Sequence, residues 1–202
     1  YEEQNADVML RLQAGYPRFM TNRFLKRALF HAGQVMDVPP HHELIAVSSS
    51  TTVCRLEELL NRRLNWLESD DLVFIDIESG SPHVGSVKMF LQHSGLIPSS
   101  RKAESYLLKH HLVQQEFAEP RVESQSAMQV IKKTLADAYG HAAMDDVILC
   151  NTGMTANYAV FSALKKLQHE SNRNCFVQFG WLYTDTMEIM KKYSREHIAF
   201  LQ

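Results

Sequence analysis

The sequence predicts an α/β fold whose C-terminal half is built on a parallel sheet, and three observations predict it. Beyond about residue 120, apolar runs of strand length alternate with stretches of helical spacing, the rhythm of βαβ units joined by right-handed crossovers. One of those runs, VILC at 147–150, is continuously apolar, as expected of a strand covered on both faces. Pro120, within FAEPRVES at 117–124, interrupts the helical signal before that rhythm begins. The division drawn from this is an N-terminal α/β domain over 1–116 and a sheet-forming domain over 117–202.

In chain order, residues 3–14 and 21–36 carry helical spacing; in the second, Phe24, Ala28 and His31-Ala32 share a face with Leu25 and Leu29 beside it. GYPRFM, a Gly-Pro turn flanked by aromatics, separates the two, and Pro39-Pro40 ends the second. ELIAVS (43–48) reads as a strand, and the Ser-Thr run 48–52 caps a helix expected to reach about Trp66. DLVFIDIE (71–78) reads as a strand, SGSPH breaks it, and helices follow at 84–94 and 99–116. The second half is then a helix over 123–139, a strand at 146–151, a helix over 153–168, a strand at 174–179, a helix over 183–193 and a strand at 196–201.

Composition narrows the function classes. With 202 residues, 45% of them hydrophobic and 22% charged, the chain has the make-up of a globular protein with a substantial core. A net charge of −2 gives no general attraction to nucleic acid or an anionic membrane. The three cysteines, Cys54, Cys150 and Cys175, are scattered and form no CxxC pair. Together with the polar start YEEQNADVML, they lead to the expectation of a reducing, cytoplasmic setting. Ten histidines include the doublets His41-His42 and His110-His111, but neighbours point apart and neither HxxxH nor HExxH occurs, so no metal site is expected.

The chemistry-bearing stretch is VILCNTGMTANYAVFSAL, 147–164. Thr152 is placed to cap a helix, and Gly153 lets another group approach the backbone. The free N–H groups of such a first turn, aided by the helix dipole, suit a phosphate. A plain capped connection explains the same residues. Met154, Tyr158, Phe161 and Leu164 form a stripe that reads as core-facing. Cys150 reads as a small buried hydrophobe and His83 as a turn residue. Asp70-Asp71 and Asp145-Asp146 read as solvated turn charges.

NTGM followed by an apolar helix resembles the phosphate-binding motif of the cystathionine γ-synthase group of pyridoxal-phosphate enzymes. That group has a later Leu-Tyr-Gly-x-Thr loop after a strand, and GWLYTDT at 180–186 is similar to it, with Thr184 and Asp185 departing from the usual small residues. GYPRFM, FLQHSG (90–95) and SSRKAE (99–104) resemble the N-terminal extension of the long, fungal-type members. The resemblance implies an aspartate-aminotransferase-like fold type I domain, with pyridoxal 5'-phosphate held at Thr152, Gly153 and Met154 and stacked on Tyr183. Arg121 stands near the place where the group's Tyr-x-Arg element reaches the phosphate; Phe117 and Glu119 depart from that element. It implies γ-replacement on an activated homoserine ester with cysteine, in methionine biosynthesis, by a homodimer or homotetramer acting on small amino-acid substrates. A cystathionine or methionine lyase is the near alternative, and a non-catalytic α/β binding module the distant one. The group's Schiff-base lysine is expected beyond Gln202, so this chain is read as an N-terminal fragment with no catalytic residue of its own. Lys191-Lys192 read as solvated helix residues.

Overall fold

Two sheets organise the chain, one in each half, in a computed structural model that describes residues 20–114, 124–140 and 142–201. The expected helix at 3–14, most of GYPRFM, and the FAEPRV stretch with Phe117, Glu119 and Arg121 lie outside these residues. Helix α1 (Arg23–Val35) opens on Asn22, whose side chain accepts from the Leu25 N–H, and buries Leu25, Ala28 and Ala32. Strand β1 (His42–Val47) and helix α2 (Ser50–Leu60) follow, with the Ser49 hydroxyl capping α2 at the Thr52 N–H. Helix α2 stops well short of Trp66. Asn61 adopts a left-handed conformation (φ 49°), and the Glu57 carboxylate takes the Leu64 N–H at 2.9 Å and Arg63 at 2.8 Å. The freed residues form β2 (Asn65–Ser69), a strand the helical reading concealed.

Strands β2 and β3 (Leu72–Glu78) are joined only by Asp70-Asp71, with φ of 49° and 67°. Two consecutive left-handed residues make the tight hairpin turn whose twist matches antiparallel strands. The sheet order is β1-β3-β2, antiparallel throughout. Central β3 is covered on both faces, which explains its unbroken apolar run. Val73, Ile75 and Ile77 meet Val53, Leu56, Val87 and Phe90 on one side, while Leu72 and Phe74 meet Ala28, Tyr106 and Leu107 on the other. Helices α3 (His83–Ser94) and α4 (Ser100–Lys109) complete these two layers. Asp70 is not a freely solvated turn charge: it bonds His110 at 2.8 Å and Lys109 at 3.3 Å, which hold its carboxyl below the usual range.

The second half corrects the expectation of a fold type I parallel-sheet domain. After α5 (Ser124–Tyr139), residues 147–152 form no strand; only a 3-10 turn, Met144–Asp146, precedes them. A strand exists through its hydrogen-bonded neighbour, and among the described residues nothing pairs with 146–151; Ile148 is 82% exposed. Cys150, accordingly, is half-buried and ends no strand. Helix α6 (Gly153–Glu170) leads into one βαβ unit, made of strand β4 (Cys175–Phe179), helix α7 (Thr184–Tyr193) and strand β5 (Glu196–Phe200). Its two strands are parallel, Val177 opposite Ile198 and Phe179 opposite Phe200. One face packs through Phe176 on Phe161 of α6, rings 4.8 Å apart; the other leaves Val177, Phe179, Ile198 and Phe200 exposed. The fold is therefore a small α/β assembly with a three-stranded antiparallel and a two-stranded parallel sheet.

The halves meet around Phe90 of α3, whose ring stands 5.4 Å from Tyr158 of α6 and 5.6 Å from Tyr193 of α7. Removal from water pushes the Tyr193 hydroxyl up to about 12 and raises that of Tyr158 as well.

Candidate functional site

The NTGM turn is built as its residues dictate. Thr152 is extended (φ −143°, ψ 159°), and its Oγ1 accepts the Thr155 N–H at 3.1 Å, so α6 begins with a side-chain cap. Met154 turns inward and is 4% exposed beside Phe161 and Ile189. Gly153 turns outward, and a Cβ built on it meets no atom within 4 Å. The backbone amides at the start of α6 are thus approachable, and a side chain at 153 would fill that space. Gly153 itself faces open space rather than an enclosed cradle.

The turn is held from behind by Gly95, the left-handed C-cap of α3 (φ 69°). The Thr155 hydroxyl donates to the Gly95 carbonyl at 3.1 Å. A Cβ at Gly95 would lie 2.6 Å from Thr152 Oγ1, too close to tolerate. FLQHSG and NTGM, far apart in sequence, therefore touch through this glycine.

Tyr183 occupies the N-cap position of α7, 56% exposed. The start of α7 is tied to α6 by Asn157, whose Nδ2 donates to Thr186 Oγ1 at 3.3 Å. Tyr183, Thr184 and Asp185 also line a cavity of about 1010 Å³ between α1, β1, α3 and α7. Thr152, Gly153 and Met154 are not among its lining residues. The structure thus links α6 to the Tyr183 helix, without giving the NTGM turn and Tyr183 one shared cavity. Arg121 lies outside the described residues, and Lys192 is paired with Glu188 at 2.8 Å.

Sequence reading gave no role to other polar residues of that cavity's lining: Glu43 and Lys88, paired at 2.9 Å, together with Gln92 and Asp185. Asp185 is 6% exposed, a buried acid in the first turn of a helix. Its departure from the small residue usual in the Leu-Tyr-Gly-x-Thr loop was the one available signal. Among the described residues, no three of His, Cys, Asp and Glu are grouped to hold a metal. No helix among them is long and apolar enough to cross a membrane.

Comparison with known proteins adds one relative to this geometry. The chain is similar to L-2-amino-4-chloropent-4-enoate dechlorinase/desaturase of Streptantibioticus cattleyicolor, 28% identical over 206 residues. The match takes in 98% of this chain and 40% of the relative, so the chain spans about two fifths of that protein's length. No family model and no solved structure matches. The relative is an enzyme, and the reaction in its name is dechlorination with desaturation. This overturns the reading as a cystathionine γ-synthase fragment, and with it γ-replacement by a transferase in methionine biosynthesis. Neither the thioether-lyase nor the non-catalytic alternative matches that name either.

Proposed function

We propose that this chain is part of an enzyme that removes a halide from the γ-carbon of an α-amino acid and leaves an unsaturated product, with pyridoxal 5'-phosphate as cofactor. The observation that carries the proposal is the similarity along nearly the whole chain to an enzyme named for such a reaction. In the compound of that name, chlorine sits on C4, the γ-carbon, which is also one end of a double bond. A vinylic chloride resists direct displacement. Its loss together with desaturation amounts to removal of HCl, the proton coming from Cβ and the chloride from Cγ.

Pyridoxal phosphate, when bound, supplies an electron sink at Cα that makes the neighbouring Cβ proton removable. The residues of this chain bind and orient. The amides of Gly153 and Met154 at the start of α6 would hold the phosphate, with the helix dipole favouring its charge. Gly153 leaves the approach open, and Gly95 and Thr155 fix the turn from behind. Tyr183 is the ring that would stack on the pyridine ring, and the Asn157–Thr186 bond joins its helix to α6. We include self-association in the proposal, supported by the exposed Val177, Phe179, Ile198 and Phe200 face.

The test is chloride release. Intact protein loaded with pyridoxal phosphate is mixed with L-2-amino-4-chloropent-4-enoate, and chloride is measured by ion chromatography. One chloride per amino acid consumed is expected, and Gly153→Glu, which sets a like charge beside the amides at the start of α6, should weaken cofactor retention. A loaded protein that releases no chloride from this or other γ-halo amino acids would refute the proposal.

A further inference from the structure

A second cavity, of about 830 Å³, opens where the two halves of the chain meet, among α2, α3, α6 and α7. Small ligands commonly bind at such seams. The lining carries four cationic side chains, Arg55, Lys165, Lys166 and Lys192, against one carboxylate, Glu58. In a chain of net charge −2 this is a local excess of positive charge. Arg55 meets Glu58 at 3.1 Å, and Lys192 meets Glu188, outside the lining, at 2.8 Å. Lys165 donates instead to the Tyr193 carbonyl at 2.6 Å, which leaves its ammonium further protons to give. The Lys166 ammonium has no hydrogen bond or ion pair among the described residues.

We infer that this cavity binds a small organic phosphate, its phosphoryl group held by Lys165 and Lys166 and its uncharged body against apolar lining residues such as Leu59 and Leu96. Neighbouring residues of a helix point about 100° apart, so two that line one cavity approach an anion from different sides. Two ammoniums without carboxylate partners match a dianion better than a single carboxylate. The exposed Arg55–Glu58 pair is worth little in water, so Arg55 is available to turn toward the ligand. Tyr158 and Tyr193 line the same space, and burial raises both hydroxyls, so they stay neutral and do not repel an anion. A solvated helix face would account for Lys166 alone, but not for cations from three helices around one cavity. About 18 Å of helix separates Lys165 from Gly153, so the site is not the α6 start and does not rest on the proposed cofactor.

Calorimetric titration of the intact protein tests this with four probes: phenyl phosphate, inorganic phosphate, benzoate and phenol. Phenyl phosphate should bind most tightly, inorganic phosphate and benzoate more weakly, and phenol not measurably. Added salt should weaken phenyl phosphate, as expected of exposed charges. Lys166→Met should weaken it several-fold, and Lys165→Met combined with Lys166→Met at least tenfold. Lys166 is exposed and has no polar partner to lose, so its variant decides even if the double variant does not fold. The inference is overturned if phenyl phosphate does not bind, or if benzoate or phenol matches it. It is equally overturned if Lys166→Met binds phenyl phosphate as wild type does, which would put the phosphate elsewhere, as at the start of α6. Chloride release, measured separately, is indifferent to all of these outcomes, so this site and the halide chemistry stand or fall apart.

Discussion

Replacing Gly95 with alanine tests the junction on which the α6 turn depends. Gly95 has φ 69°, and a β-carbon there meets Thr152 Oγ1 at 2.6 Å, Thr155 Oγ1 at 3.1 Å and Met154 Cβ at 3.2 Å. The left-handed conformation alone costs an alanine about 1–2 kcal/mol. The collision with Thr152 forces its hydroxyl off the Thr155 amide, and losing an N-cap costs about 1 kcal/mol more. Gly95→Ala should therefore destabilise the protein by about 2–3 kcal/mol in urea denaturation. Thr152→Ala alone should cost about 1 kcal/mol. In the double variant the cap is already gone and the worst clash relieved, so the combined loss should fall short of the sum by about 1 kcal/mol. The close contacts to Thr155 and Met154 persist, which keeps Gly95→Ala costly in either background. Strict additivity, or a loss below about 0.5 kcal/mol for Gly95→Ala, would show that the α3 C-cap and the α6 N-cap do not touch as described.

Three further outcomes follow from named contacts. Tyr193 is neutral well beyond pH 10.0, its hydroxyl raised to about 12 by burial, so unfolding releases its proton first and stability falls as pH rises from 10 to 12. The full effect is about 2.7 kcal/mol, reduced by partial solvent screening to about 1–2 kcal/mol; Tyr193→Phe should lose this alkaline slope, and an unchanged slope counts against burial. Asp70 behaves oppositely: its carboxyl is lowered by His110 and Lys109, so its contribution is present above the ordinary aspartate range and lost as pH falls through the lowered value. Asp70→Asn should flatten the acid limb of the stability profile, and an acid limb identical to wild type would refute the ion-pair account. Phe90→Ala, at a residue 1% exposed between Tyr158 and Tyr193, should cost about 3–5 kcal/mol and lower the Tyr193 ionisation toward 10; an unshifted absorbance titration refutes the packing.

Local pattern carried the helices and most strands, because their causes are local. The Asn22, Ser49 and Thr152 caps and the apolar run of β3 are each visible within a few residues. What failed was non-local. VILC has every propensity of a strand, yet 146–151 is none, because a strand needs a partner edge that propensity does not supply. Trp66 moved from helix to strand because Asn61 could take a left-handed turn and Asp70-Asp71 could close a hairpin, and backbone choices of that kind made the first sheet antiparallel.

The candidate site divides in the same way. Thr152, Gly153 and Met154 were legible because a helix start reveals its cap and its open glycine in consecutive letters. Tyr183 was singled out only by resemblance, and the family assignment behind it did not survive comparison. Gly95 against Thr152, and Asp185 in one cavity lining with Lys88 and Glu43, were beyond any local reading. Those residues come from different elements, brought together only when α3 and α7 pack beside the first sheet. The sequence by itself determined where the chain turns, caps and buries apolar faces. Tertiary structure alone decided which charges share a cavity, because such neighbours depend on packing across the chain rather than along it.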